Sequence, residues 1–160
     1  MSIELLMKLE SLKPSIKLTL ERFAPYRLSI LSNRISAAIS ATYKDRFALS
    51  VIEWRIMAVL GEYPGISAEE VSMKTQIEKS ILSRAVQKLL KRHLVERSID
   101  NNDRRRQMLT LSKLGKEIYD QIVPLSLNYE QKLLSCFNAK ERKEFSAYVD
   151  RLYEHAEDMS

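Results

Sequence analysis

Apolar residues recur at three-and-four spacing along most of the chain, which predicts a mainly helical protein. Leu5, Leu6, Leu9, Leu12, Ile16 and Leu20 mark an N-terminal helical stretch. Pro14 interrupts it, because proline fixes its own φ and disfavours helix at the residue before it. After Pro25 the pattern predicts one long helix from Tyr26 to Phe47, with Leu28, Leu31, Ile35, Ile39 and Thr42 on one face and Ser29, Ser32, Ser36 and Ser40 beside it. Ser50 followed by Glu53 is a capping box that opens the next helix, through Trp54, Ile56, Met57 and Leu60 to Gly61. A second box, Ser67-Ala68-Glu69-Glu70, opens a short helix to about Lys74. Only Thr75 to Ile77 separate it from a strongly periodic helix that runs to about His93. Two helices joined by so tight a turn read as a helix-turn-helix.

From Leu94 the pattern changes. Leu94 to Arg97 and Met108 to Leu111 read as strands flanking the turn cluster Asp100-Asn101-Asn102-Asp103, which makes a two-stranded β-wing. A long helix follows from about Ser112, with Ile118, Ile122, Leu125, Tyr129, Leu133 and Cys136 on one face and an expected kink at Pro124. Asn138 with Glu141 caps a last helix whose apolar face is Phe145, Tyr148, Val149, Leu152 and Ala156. The fold class is therefore mainly α, a winged helix-turn-helix over residues 48–111 flanked by dimerisation helices at 1–47 and 112–160, in a single domain of 160 residues. The broad apolar faces of the terminal helices need covering, and a second subunit or internal packing would each do it.

Charge sharpens this picture. The net charge is +5, yet Lys74 to Arg106 alone holds ten Lys/Arg against four Asp/Glu, so essentially all of the excess lies on the helix-turn-helix and wing. That is the footprint of a phosphate-binding face. On the helix after Glu78, a buried stripe of Leu82, Ala85, Val86 and Leu89 sends Ser80, Ser83, Arg84, Gln87, Lys88 and Lys91 outward. A major groove admits such a helix, where Arg can bond guanine and Gln adenine. Lys79 and Ser80, near the helix start, are placed to meet phosphate at the positive end of the helix dipole. The wing tip carries Arg104, Arg105 and Arg106, suited to a narrow minor groove, and Asp103 is placed to orient one of them by a charge-assisted bond.

The segments LSVIEWRIMAVLGEYPGISAEEVS and KSILSRAVQKLLKRHLVERSIDNNDRRRQMLTLSKLGKE resemble the MarR family of bacterial regulators, from about residue 26 to the C-terminus. The most specific part is Asp103-Arg104-Arg105 followed by Leu109-Thr110-Leu111-Ser112 and Gly115. The resemblance implies a homodimer with interleaved terminal helices that sets two winged heads on a pseudo-palindromic DNA operator. It assigns Arg105 to the minor groove, Asp103 as its buttress, and Ser80, Ser83 and Arg84 as early recognition-helix contacts. Arg55 falls at a position that supports the head in the family, or forms a surface ion pair. The resemblance further implies a repressor released by a small phenolic or carboxylated aromatic effector. Tyr26, Ser29, Asn33, Arg34 and Trp54 offer aromatic surface, hydrogen bonds and one cation for that effector.

Other classes fit less well. A redox regulator would act through Cys136, but this residue sits on the apolar face of a late helix and is expected to be a buried, inert thiol. His93, Cys136 and His155 show no metal-ligand spacing, and His93 is better placed to cap helix carbonyls. No cofactor is expected. Enzyme signatures such as a Gly-rich phosphate loop, HExxH or Gly-x-Ser-x-Gly are absent from the sequence. A winged-helix module for protein contacts alone would have no use for the concentrated positive charge. The single cysteine, an N-terminus unlike a signal peptide and the lack of a membrane-spanning apolar run predict a cytoplasmic protein with no membrane partner.

Overall fold

Helix α1 spans Ala24–Ser40, α2 Lys44–Phe47, α3 Val51–Glu62, β1 Ile66–Ser67, α4 Ala68–Thr75, α5 Lys79–Lys91, β2 Val95–Ile99, β3 Gln107–Leu111, α6 Lys113–Leu133 and α7 Ala139–Asp158. Short 3-10 turns occupy Leu20–Arg22 and Leu134–Cys136. These elements come from a computed structural model that describes residues 17–99 and 107–159. The chain divides into two compact units, residues 1–36 and 37–160. In the first, Leu20, Phe23, Tyr26, Leu28, Ile30 and Leu31 are all exposed. Of its described residues, only Ile35 and Ser36 are even half-buried.

The second unit is organised on α3. Its start is fixed by a reciprocal box: the Ser50 N–H donates to the Glu53 carboxylate (2.8 Å) and the Glu53 N–H to the Ser50 hydroxyl (3.1 Å). Trp54, Ile56, Met57 and Leu60 are buried around α3, as suits a helix packed on several sides at once. It packs against α4, α5, β3 and α6. Val71 from α4, Leu82, Val86 and Leu89 from α5, Val95 and Leu109 from the sheet and Ile122 from α6 complete one core. Equivalent boxes at Ser67/Glu70 and Asn138/Glu141 open α4 and α7 as the sequence predicts.

Three expectations are corrected. The predicted helix from Tyr26 to Phe47 is two helices, because the chain tightens at Ala41 to Tyr43. There the Thr42 hydroxyl donates to the Ile39 carbonyl (2.6 Å), and the side chain of Tyr43 turns fully into the core, 5.7 Å from Trp54. The wing sheet has three strands in the order β1-β3-β2, where two were expected. Ile66 and Ser67 pair with Leu109 and Met108, led in by Gly65 at φ 73, whose N–H donates to the Leu109 carbonyl. Cys136 is exposed, not buried, since it lies in the 3-10 turn after α6 has ended.

The start of α6 is locked to the end of the recognition segment. Ser112 is buried; its N–H donates to the Leu94 carbonyl (3.0 Å) and its hydroxyl to the His93 carbonyl (2.6 Å). The same hydroxyl accepts from the Gly115 N–H at 2.9 Å, capping α6. Gly115 has no room for a side chain, because a Cβ there would stand 1.9 Å from the Leu94 carbonyl oxygen. Pro124 lies within α6. Every described residue of α7 is exposed, including Phe145, Tyr148, Val149, Leu152 and Tyr153.

Candidate nucleic-acid interface

Helix α5 divides its faces as its periodicity demands. Leu82, Ala85, Val86 and Leu89 are buried, while Lys79, Ser80, Ser83, Arg84, Gln87, Lys88 and Lys91 are all exposed. The turn before it is tight: Gln76 takes a left-handed conformation (φ 55), and the Ser72 hydroxyl donates to the Ile77 carbonyl at 2.8 Å. His93 takes the same conformation (φ 55) and ends the segment by a backbone turn. Helix α5 adjoins β2. A shallow groove of about 270 Å³ beside α5 is lined by Glu69, Lys79, Ser83 and Arg97, with Leu82 and Val86 at its apolar side. Arg97 is exposed there and extends the polar surface from helix to wing.

The first turn of α5, which carries Lys79 and Ser80, is closed by a side chain of its own segment. Glu78 caps it with its carboxylate, accepting from the Ser80 N–H (2.9 Å), the Ile81 N–H (3.2 Å) and the Ser80 hydroxyl. These bonds, the Ser80 hydroxyl first, together with the Arg84 charge hold the Glu78 carboxyl below its ordinary range. A phosphate approaching the helix start would find the Ser80 and Ile81 amides already bonded and a negative charge beside them. Lys79 is drawn toward Glu69 on α4 at 3.9 Å, both side chains well exposed. Nothing in the sequence pattern separated Glu78 from an ordinary first-turn residue, since glutamate is not a favoured N-cap.

Arg92 also departs from the charge count. Its guanidinium turns away from the exposed face of α5 and donates to the Phe47 carbonyl (2.7 Å) and the Ala48 carbonyl (2.8 Å), closing the C-terminal end of α2. It is a brace between the recognition helix and the segment that enters α3. Arg92→Ala is expected to cost about 1–3 kcal/mol of stability, the usual loss for hydrogen bonds to a charged group. The salt slope of DNA binding should stay unchanged; a flattened slope would show that Arg92 contacts phosphate instead.

The other candidate residues fall as follows. Asp103, Arg104, Arg105 and Arg106 lie outside the described residues. Tyr26, Ser29, Asn33 and Arg34 are exposed on α1 in the first unit. Trp54 is 8% exposed in the second unit, in a row of rings with Tyr43 at 5.7 Å and Tyr119 at 5.8 Å. Arg55 is exposed, and its charge lowers the Tyr43 phenol against the larger upward push of burial. Among the described residues, no helix is long and apolar enough to cross a membrane.

Residues 49–106, which take in the helix-turn-helix and the first strand of the wing, match the model of the MarR family. Over these residues the chain is similar to the MarR family. Among curated relatives, the chain is 27% identical over 113 residues to the HTH-type transcriptional regulator BilQ of Clostridium symbiosum, covering 71% of the chain and 77% of BilQ. A MarR/EmrR family transcriptional regulator from Acinetobacter sp. ADP1 superposes with a TM-score of 0.81 at 24% identity, over 88% of this chain and 99% of that one. Bordetella bronchiseptica BpsR, whose DNA binding is regulated by 6-hydroxynicotinic acid, superposes with a TM-score of 0.76 at 20% identity, over 86% and 97%. These likenesses carry the fold, and the protein is a transcriptional regulator.

Proposed function

We propose that the protein is a homodimeric repressor that sets two α5 helices into successive major grooves of a pseudo-palindromic operator and leaves it on binding a small aromatic acid or phenol. The observation that carries the DNA reading is the division of α5: Leu82, Ala85, Val86 and Leu89 are buried in the core, and its polar, basic side faces solvent. Ser83, Arg84 and Gln87 then meet base edges, while Lys79 and Lys88 flank them toward the backbone. Arg104, Arg105 and Arg106 follow the minor groove, with Asp103 orienting Arg105. The uncovered apolar faces of α1 and α7 supply the dimer contact.

The effector reading rests on the regulation of BpsR by an aromatic acid and on the residues of α1. Tyr26, Ser29, Asn33 and Arg34 recur at helical spacing along that helix and offer a ring, two hydrogen-bonding groups and a cation for a carboxylate. Trp54 is the one tryptophan of the chain, so its fluorescence reports on the head when an aromatic acid is titrated in.

The test is binding of the full chain to labelled duplexes from its own upstream region over a range of salt. Affinity should fall steeply as salt rises, with the logarithmic slope counting the phosphates contacted. Arg105→Ala should weaken operator binding by roughly tenfold or more and flatten the slope, with helical content and dimer unchanged. Wild-type affinity for that variant would remove Arg105 from the interface.

A further inference from the structure

Among the described residues, two buried side-chain oxygens have no hydrogen-bond partner, the hydroxyls of Tyr43 and Ser126. A serine hydroxyl swings on a short arm and can turn to a carbonyl of its own helix. A phenol oxygen is fixed by its ring, and Tyr43 is 0% exposed. A buried tyrosine hydroxyl left without a partner is costly and uncommon, so it points to a partner that arrives from outside. We infer that the winged head has a seat for one aromatic carboxylate, in which the guest ring replaces Tyr119 against Trp54 and Gly61 and the guest carboxylate accepts a hydrogen bond from the Tyr43 hydroxyl. This rests on the effector role proposed above and adds to it a site within the second unit, distinct from the residues of α1.

Three rings stand in a row, from Tyr43 just before α2, Trp54 in α3 and Tyr119 in α6. Between centroids Tyr43 lies 5.7 Å from Trp54, and Trp54 5.8 Å from Tyr119. Trp54 touches both neighbours, so a guest seated on it in place of Tyr119 is one ring away from the Tyr43 phenol. Tyr119 is the member of the row that can leave. It is only half-buried, and the exposed Lys116 holds its ammonium 5.0 Å from the ring centroid. The ring lies against Gly61, where a Cβ would stand 2.3 Å from its Cε2 and 2.5 Å from its Cζ. Glycine there leaves bare helix backbone beneath the ring, an apolar floor that takes the ring of a guest as readily as that of tyrosine.

The polar end of the guest follows from the groups around Tyr43. Burial pushes the phenol up against the smaller downward pull of the Arg55 charge, so the hydroxyl keeps its proton and donates. The same Arg55 charge favours a guest that is negative at that point. A carboxylate carried on an aromatic ring suits both the row and the donor. The seat is also joined to the DNA-reading helix. Tyr119 stands one turn after Gly115, which packs on the Leu94 carbonyl, and Ser112 bonds the carbonyls of His93 and Leu94 just beyond α5. A guest that moves Tyr119 off Gly61 therefore loads the turn of α6 that holds the end of the recognition segment.

The test uses the full chain, benzoate as the probe and Trp54, the one tryptophan, as the fluorescent reporter. Benzoate should change the Trp54 emission saturably. Tyr43→Phe keeps the ring and removes the donor, so half-saturation should move up roughly tenfold. Its melting temperature should stay at or above the wild-type value, because no internal bond is lost. Tyr119→Ala removes the ring that fills the seat and should move half-saturation down roughly tenfold, with circular dichroism establishing that it is folded. Tyr43→Phe, which alters one oxygen, decides alone where Tyr119→Ala melts too low to titrate. A Tyr43→Phe protein that melts several degrees below the wild type would overturn the inference, since the hydroxyl would then have a partner inside the protein. Half-saturation unchanged in Tyr43→Phe would overturn it too. Calorimetric titration of benzoate, with operator binding measured beside it, separates the seat from the effector role. Heat of binding lost in Arg34→Ala and kept in Tyr43→Phe would overturn the seat and leave the effector reading on α1. Binding that follows Tyr43 and Tyr119 with no change in operator affinity would uphold the seat and overturn its effector role.

Discussion

Gly115→Ala is expected to be among the most damaging single-methyl additions in this protein, lowering stability by about 2–3 kcal/mol or more. Alanine favours helix over glycine by about 1 kcal/mol, so on an open helix the change would stabilise. Here the new Cβ would stand 1.9 Å from the Leu94 carbonyl oxygen, 2.9 Å from its carbon and 3.3 Å from its Cα. All three atoms are backbone, and the segment that carries them is itself tied to Ser112 by the Leu94 and His93 carbonyls. No rotamer change can relieve the overlap, so the first turn of α6 must move off the head and loosen both bonds. Gly65→Ala makes a useful contrast: at φ 73 it is strained by its backbone, but a Cβ there meets nothing within 4 Å, so about 1 kcal/mol is expected. Thermal melting of the two variants checks the ranking. A Gly115→Ala protein as stable as the wild type would mean that α6 is not held against Leu94.

The packing in the winged head was legible because its periodic and capping signals are local. Ser50, Ser67 and Asn138 each precede a glutamate by three residues, and each forms the full reciprocal box. The stripe Leu82, Ala85, Val86 and Leu89 is buried as its spacing requires. What was not legible depends on contacts far along the chain. Ile66 and Ser67 are too short a pair to show strand alternation, and Ser67 carries a helix-cap signal at the same time; its pairing with Met108 is set by the fold. Arg92 looks like any other cation of the patch until the carbonyls of Phe47 and Ala48 are brought to it. Cys136 was misplaced by extending helical spacing one turn too far, past the point where α6 gives way to a 3-10 turn. The break at Ala41 to Tyr43 has the same origin, since only the core position of Tyr43 requires it.

The same kind of gap bears on assembly, where the largest functional effect is expected from a residue far from any base. Leu152→Glu should turn the proposed dimer into monomers at micromolar concentration and weaken operator binding by a factor of roughly 100 or more. In α7, Phe145, Val149 and Leu152 form an apolar row at three-and-four spacing and are 41%, 48% and 52% exposed, with Tyr148 beside them at 61%. An amphipathic helix that leaves such a row uncovered has its natural complement in the same row of a second copy, because a two-fold axis makes one apolar patch serve both sides. Glutamate at position 152 would then place two ionised carboxylates in the seam, each costing several kcal/mol to desolvate without a partner. In the single chain the residue faces solvent, so the winged head should fold and melt nearly as before. Operator affinity falls because the second head no longer binds as part of the same molecule and the gain from effective concentration is lost. Sedimentation equilibrium and duplex titration, run with circular dichroism on the same sample, decide the matter. A Leu152→Glu protein that stays dimeric and binds its operator like the wild type would move the dimer contact off this face of α7.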